Sequence, residues 1–389
     1  MIAIITKRKL KLLREVILLM GIDLLDFNRM DNEEVDEPDF GKIQLIETLT
    51  QITEITDLKK LRNQIANVSL NIKKHSKNFA REDTEEEPVF GINNETLLKD
   101  LEQILETYSL ERSQYYIKRL LKALTTNKSG KINDLNLNRW KEYEDIVTDS
   151  LWIMEKRDRS GAHNAGYWGN FIPQIPQQLM KRYTKKGEWV LDTFIGSGTT
   201  LIECKRLGRN GIGIDLSKDA LNTANENLSK EENKFGVRTE LFNADSTTLD
   251  YKRMLDLAGL KSVQLVIMHP PYWDIIKFSE NPNDLSNAIN EKSFLDSIRA
   301  IGKKSYEILD HGRYLAIVIG DKYSKGEWIP LGFESMNELR NIGFKLKSVV
   351  VKNFDVTKGK RNQEDLWRYR ALAGGFYVFK HEYIFIFQR

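Results

Sequence analysis

Trp189-Val-Leu-Asp-Thr-Phe-Ile-Gly-Ser-Gly-Thr-Thr-Leu-Ile-Glu-Cys204 decides the architecture of this chain. A short apolar run from Trp189 to Leu191 meets an acid and a glycine turn, and Leu201 to Cys204 then opens a stretch of helical character. The order is strand, turn, helix. Glycine is needed at 196 and 198 because a backbone approaching a ligand at van der Waals distance has no room for Cβ, and such turns often take positive φ. The next apolar run, Gly211-Ile-Gly-Ile-Asp215, ends in a carboxylate about twenty residues on, where an acid can accept hydrogen bonds from both hydroxyls of a ribose. A nucleoside cofactor is implied. The turn departs from the dinucleotide fingerprint by lacking its third glycine, and without a Gly-Lys-Ser/Thr ending it disfavours ATP.

Outward from this unit, Val263–Met268 and Tyr314–Ile319 read as further parallel strands separated by helical stretches, the pattern of a βαβ sheet. Two β-rich runs near the end, Phe344–Val351 and Glu382–Phe387, predict a closing antiparallel pair. The first 150 or so residues differ. They are charged and Leu-rich, with helical segments at Lys9–Leu19, Leu58–Leu70 and Leu97–Leu124, and two acidic runs (Asp31–Glu37, Glu82–Glu87) that read as solvated loops. The polar stretch from Arg157 to Gly166 reads as a mobile boundary loop. The expectation is an α/β chain of two domains: a helical N-terminal region over 1–155, serving recognition or dimerisation, and a sheet domain over 156–389.

Composition bounds the function. The 389 residues are 41% hydrophobic and 30% charged, which is globular, and no apolar run reaches the length of a membrane span. The opening Met1–Thr6 places apolar residues ahead of Lys7-Arg8-Lys9, the reverse of a secretory signal, so a cytoplasmic protein is expected. A lone cysteine and five scattered histidines give no zinc-finger spacing, so no metal is assigned. With a net charge of +3, nucleic-acid binding would rest on local patches.

A second segment carries the chemistry. Leu265-Val-Ile-Met-His-Pro-Pro-Tyr-Trp273 is an apolar strand that stops at a histidine, two prolines and two aromatics. Prolines rigidify the strand end and remove N–H donors, which leaves carbonyl groups free to accept from a ligand. Phe194-Ile-Gly-Ser-Gly-Thr199 resembles the S-adenosylmethionine motif of the amino-methylating DNA methyltransferases, and His269–Tyr272 resembles their Asp/Asn/Ser-Pro-Pro-Tyr motif with histidine in the first place. Phe171-Ile-Pro173 and the residues after it resemble the segment that packs beside the methionine part of the cofactor in that family. The similarity spans about 165–389.

The resemblance implies a Rossmann-like methyltransferase sheet, mostly parallel with a C-terminal antiparallel hairpin, and S-adenosyl-L-methionine as cofactor. It implies that Phe171, Pro173, Asp192 and the turn from Phe194 through Gly196, Ser197, Gly198, Thr199 and Thr200 hold the methionine end. Asp215 with Leu216 would hold the ribose, and Asp245 with Ser246 the adenine; a loop acid is the plain alternative for Asp245. At the other corner, an acceptor on His269 and the carbonyl of Pro270 would take both N–H bonds of a target amino group. The nitrogen lone pair would then face the methyl donor, with Pro271 bracing the corner and Tyr272 stacking on a base turned out of the duplex. A neutral imidazole accepts one hydrogen bond whereas an imidazolium only donates, so activity is expected to fall as pH drops through the His269 pKa in the ordinary histidine range.

Double-stranded DNA is the expected partner, in a restriction-modification setting with a cognate endonuclease or as a solitary enzyme, for a monomer or homodimer without membrane attachment. Cytosine N4 is preferred to adenine N6 because the Asp usual for adenine is missing at 269. An RNA base methyltransferase and an inactive nucleic-acid-binding module are the alternatives. Cys204 does not follow a proline, as the C5-methylation nucleophile does, and is better placed as a small buried residue. Lys352 to Lys380, with Lys358-Gly-Lys-Arg361 and Leu366-Trp-Arg-Tyr-Arg370, interleaves basic residues with aromatics in a way suited to phosphate contact and stacking, so Lys358, Lys360, Arg361, Arg368 and Arg370, together with Trp273, are the nucleic-acid candidates, with a solvated hairpin as the bland alternative. Only about twenty-four residues separate Asp245 from His269, too few for a recognition domain between them. Recognition is therefore expected in the N-terminal half, the C-terminal hairpin, or the loop Asp274–Asn290.

Overall fold

The computed structural model describes residues 40–79, 94–163, 166, 169–354 and 364–389. They fall into two compact units, 1–127 with 138–142 and 128–137 with 143–389. The boundary expected at 155 therefore lies earlier, since 143–155 belong to the sheet unit. Lys9–Leu19 and both acidic runs lie outside the described residues.

In the described part of the first unit are four α-helices, α1 Phe40–Thr53, α2 Leu58–Phe79, α3 Asn94–Leu105 and α4 Leu110–Thr125. Their apolar stripes meet in one core, with Leu49, Leu61, Ile65, Leu97, Leu101 and Ile117 fully buried. Apolar residues at three- and four-residue spacing put one face of each helix inward, and burial of that face stabilises helices that would be marginal alone. The expected single segment Leu97–Leu124 is two helices, because Ser109 caps α4 by accepting from the backbone N–H of Arg112 at 3.2 Å and so starts a new helix.

The second unit is a doubly wound sheet. Among the described residues its strands are β1 Leu151–Trp152, β2 Trp189–Asp192, β3 Asn210–Asp215, β4 Thr239–Asn243, β5 Val263–Met268, β6 Leu309–Ile319, β9 Lys345–Asn353 and β10 His381–Gln388, and these eight run in the order β1-β9-β10-β6-β5-β2-β3-β4. A small separate hairpin is formed by β7 Lys322–Ser324 and β8 Glu327–Ile329. The sheet is parallel except for β10, which runs antiparallel to both β6 and β9. The expected closing pair exists, but β10 is inserted between β6 and β9 instead of extending the edge.

The helices are α5 Gln174–Tyr183, α6 Thr199–Leu207, α7 Lys218–Lys230, α8 Tyr251–Leu257, α9 Glu291–Ile308, α10 Leu331–Ile342 and α11 Glu364–Gly374. The helices α5 to α10 cover the sheet, and the central strands are accordingly near-continuous apolar runs: Val190, Leu191, Val263, Leu265, Val266 and Ile267 are fully buried. Among the described residues no helix is long and apolar enough to cross a membrane.

Candidate active site

The order of the strands places the site. β2 and β5 are neighbours in register, with Asp192 opposite Ile267, so the turn after β2 and the corner after β5 leave the same edge of the sheet side by side. Both corners wall one cavity of about 1170 Å³. Asp215 enters it from the end of β3, Asp245 and Ser246 from beyond β4, and Gly320 with Asp321 from the end of β6. Because β10 is antiparallel, its first residues, His381 and Glu382, come to this same edge, next to Lys352 at the end of β9.

On the cofactor side, the glycine turn is fixed by backbone donors. Gly196 has φ 52° and donates its N–H to Asp215 Oδ2 at 2.9 Å, while Asp215 Oδ1 accepts from the N–H of Ser217 at 2.9 Å. Phe194, Gly196, Ser197, Thr199, Asp215 and Leu216 wall the cavity. Asn170 holds the turn from outside, donating to Ser197 Oγ at 2.9 Å and accepting from Thr199 Oγ1 at 2.6 Å. Asp245 also faces the cavity, with Oδ1 tied back by the N–H and hydroxyl of Thr247 at 2.7 and 2.6 Å. Ser246 donates to the carbonyl of Thr193 at 2.7 Å.

Several expectations are corrected here. Asp192 is 1% exposed and has no face on the cavity: it accepts from Thr200 Oγ1 at 2.5 Å and from the N–H of Phe194 at 2.9 Å, which makes it the pin of the turn. Thr200 is occupied by that bond and is likewise off the cavity wall. Burial drives the Asp192 carboxyl up to about 6, against the pull of those two hydrogen bonds, and the Asp215 charge adds to the rise. Gly198, with φ 91°, is required by packing as well as by conformation, since a Cβ there would lie 3.2 Å from Cα and Cβ of Ala224 on α7. Phe171 walls the cavity but Pro173 does not, lying just before α5. Residues 157–163 of the supposed boundary loop are pinned. Arg157 donates to the carbonyls of Asn170 at 3.2 Å and Phe171 at 2.9 Å and reaches the cavity, and buried His163 pairs with Glu203 of α6 at 2.7 Å.

On the catalytic side, His269, Pro270, Pro271 and Tyr272 all wall the cavity. The imidazole packs against Phe171, ring centroids 4.7 Å apart, and its Nε2 is 3.4 Å from the Tyr272 hydroxyl. That hydroxyl donates to Glu382 Oε2 at 2.7 Å, and Glu382 is paired with Lys352 at 3.1 Å. Glu382 and Lys352 are both buried. Removal of the ring from water pushes the His269 pKa down to about 4; Glu382 opposes this and Lys352 reinforces it. His269 therefore titrates below the ordinary histidine range expected from the sequence, and the ring is neutral at pH 7. Burial, then Glu382, raises the Tyr272 phenol well above its usual range, so it stays protonated.

Sequence reasoning marked the segment 352–380 for stacking on nucleic acid without naming its aromatics as cavity wall. Tyr323, Phe354, Trp367, Phe376 and Phe379 line the far wall, with Phe376 stacked on Tyr323 at 4.1 Å and Phe379 against Trp328 at 4.2 Å. The aromatic interleaving of 352–380 takes in all of these wall residues but Tyr323, for which the sequence carries no local signal. Trp273 faces elsewhere: with φ 50° it sends its indole N–H to the carbonyl of Ala288 at 2.7 Å and lies under Lys322 Nζ, 3.8 Å from the ring centre. Lys358, Lys360 and Arg361 lie outside the described residues. Arg368 and Arg370 are exposed on α11, a helix standing within the expected hairpin connection. The loop after the catalytic corner lines the cavity along much of its length from Asp274 to Leu285, with Ile275, Phe278 and Asp284 among the lining residues. Cys204 is fully buried beside Met180, 3.9 Å between sulfurs.

The fold and the site define an α/β protein in which a glycine turn at a strand end shares a cavity with a His-Pro-Pro-Tyr corner. The chain belongs to the DNA methylase family, whose match spans residues 31–226. That match takes in much of the N-terminal half, which sequence reading had left outside the resemblance. Curated relatives include the Type II methyltransferase M.MjaII of Methanocaldococcus jannaschii, 31% identical over 163 residues, 33% of this chain and 31% of that protein. The Type II methyltransferase M2.DpnII of Streptococcus pneumoniae is 39% identical over 99 residues, 24% of this chain and 34% of that protein. The Type II methyltransferase M.HpaI of Haemophilus parainfluenzae is 44% identical over 66 residues, 16% of this chain and 21% of that protein. Each match spans about a third or less of the relative's length.

Proposed function

We propose that this chain transfers a methyl group from S-adenosylmethionine to the exocyclic amino group of a base turned out of double-stranded DNA, with cytosine N4 as the acceptor. The observation that carries the proposal is the single cavity in which the Gly196 turn and Asp215 share walls with His269–Tyr272. Its 1170 Å³ exceeds the roughly 300–1,000 Å³ that accommodates one small ligand, which suits a cofactor and a base together. Membership of the DNA methylase family and relatives named as Type II methyltransferases support the same reaction.

The residues present fit S-adenosylmethionine. Carboxylates of Asp215 and Asp245, the 194–197 backbone and Ser246 form an acceptor-rich wall suited to ribose hydroxyls, an adenine amino group and a cationic methionine end. When bound, the cofactor supplies an electrophilic methyl carbon on sulfur. The protein's part is to hold the acceptor. Neutral His269 accepts one amino hydrogen and the Pro270 carbonyl the other, so that the nitrogen lone pair is left facing the donor. Tyr272 offers its ring face to the base, and the aromatic far wall closes on the remainder. The exposed side of α11, with Arg368, Tyr369, Arg370 and Leu372, contacts the duplex beside the cavity.

The purified chain, incubated with tritium-methyl S-adenosylmethionine and mixed-sequence duplex DNA, is expected to label DNA, and His269→Ala is expected to abolish labelling while S-adenosylmethionine still binds. Label entering RNA and not DNA, or no transfer despite cofactor binding, overturns the proposal. Single-molecule sequencing of DNA from expressing cells reads out N4-methylcytosine against N6-methyladenine and gives the recognition site.

A further inference from the structure

The Tyr272 hydroxyl has one hydrogen, and it points at Glu382 Oε2, 2.7 Å away. Lys352, 3.1 Å from the other carboxylate oxygen, keeps Glu382 the accepting partner. Toward His269 Nε2, 3.4 Å away, the phenol oxygen can therefore present only a lone pair. A neutral imidazole has one N–H and one lone pair. With the lone pair on Nε2, two lone pairs would face each other, whereas with the hydrogen on Nε2 the contact is an attractive, if long, hydrogen bond. Nδ1 is then the acceptor nitrogen. Among the described residues His269 makes no hydrogen bond through Nδ1, and the residue walls the cavity.

We propose that Glu382, held by Lys352, is a positioning residue that acts through Tyr272 to fix His269 as its Nε2–H tautomer, so that Nδ1 presents the lone pair that receives the target amino group. The role of Nδ1 rests on the function proposed above; the tautomer assignment does not. A side chain at this position that only accepts, such as aspartate, would need no such device. Histidine does, because in the other tautomer the nitrogen offered to the amine would be a second donor. The device also depends on topology. Glu382 lies near the start of β10 opposite Lys352 of β9, and both reach the His269 corner only because β10 is antiparallel and inserted beside β6.

The test uses the full chain labelled with ¹⁵N-histidine, the His269 signals being identified by their loss in His269→Asn. Long-range ¹H–¹⁵N spectra near pH 7 without DNA should show His269 protonated at Nε2. Tyr272→Phe keeps the ring and the Glu382–Lys352 pair but removes the hydroxyl. It should give a mixed or reversed tautomer and lower kcat by about 100-fold, the scale of a misplaced acceptor, with little change in KM for S-adenosylmethionine. The charge-neutral pair Lys352→Met/Glu382→Leu, which takes away the acceptor of the Tyr272 hydrogen together with its counter-charge, should behave likewise, and guards against the unpaired buried Lys352 charge that Glu382→Leu alone would leave. A wild-type ring protonated at Nδ1, or variants that leave tautomer and kcat unchanged, overturns the assignment. A wild-type Nε2–H ring in a protein that methylates no DNA upholds the tautomer and sinks the function proposed for it.

Discussion

At the residue scale, His269 and Asp192 are pushed in opposite directions by the same cause, burial. His269, held near 4, stays neutral while the unfolded chain takes up a proton below its ordinary range, so its contribution to stability is present at neutral pH and is lost as pH falls from about 6.5 to 4. Asp192, raised to about 6, holds a proton in the fold that the unfolded chain releases, so its contribution grows as pH falls from 6 toward 4. The His269→Asn variant should therefore lose less stability than the parent between pH 6.5 and 4 in denaturant titrations. In the parent, kcat should hold from pH 8 to about pH 5 and fall only near 4; a fall centred on the ordinary histidine range would show that the ring is more open to water than its packing on Phe171 implies. Gly320 is a second sensitive point. A Cβ there would lie 2.8 Å from the Tyr272 ring, so Gly320→Ala should cut methyl transfer at least 10-fold by displacing that ring and cost about 1–3 kcal/mol of stability, with cofactor binding near the parent value.

At the scale of elements, the strand-turn-helix of β2 and α6 is a packed object more than a bare ligand loop. Asp192 and Thr200 staple the end of β2 to the first turn of α6, and Thr200→Val leaves a buried carboxylate short of a donor. Loss of about 1–3 kcal/mol is expected near pH 8, measured by urea unfolding, with a smaller loss at pH 5 where the carboxyl is protonated. Gly213 within β3 lies so close to Ile195 that a Cβ would stand 2.7 Å from Ile195 Cγ1; Gly213→Ala should cost about 1–3 kcal/mol and weaken cofactor binding by shifting the turn. The 157–163 loop is attached to α6 by Glu203, which pairs with His163, and by Arg206, whose guanidinium is 3.3 Å from Asp158 and 3.2 Å from Glu203. These contacts explain why a polar, glycine-bearing stretch that reads as mobile is held: its charges are met by a helix distant in sequence.

At the scale of the whole molecule, the net charge of +3 over 389 residues gives little general attraction for DNA, so binding must be local. The Arg368→Ala/Arg370→Ala variant is expected to weaken duplex binding and lower the slope of log affinity against log salt by about 2, one for each phosphate contact, while S-adenosylmethionine affinity stays unchanged. An unaltered slope would remove α11 from the DNA face.

Much of this was legible in order. The run from Trp189 to Asp215 specified strand, turn, helix and strand because apolar period, glycine and terminal acid are local signals, and Leu265–Trp273 marked the second corner for the same reason. What the chain could not disclose locally was adjacency. That Asp192 turns inward to Thr200, that Gly198 is small for the sake of Ala224, and that Glu382 stands behind Tyr272 all depend on contacts between segments far apart in sequence. The sequence by itself determined the kinds of element and the two chemical corners, since these follow from neighbouring residues. Tertiary structure decided which groups meet, because an antiparallel strand inserted into a parallel sheet reverses which of its ends reaches the active edge, and no local pattern records that choice.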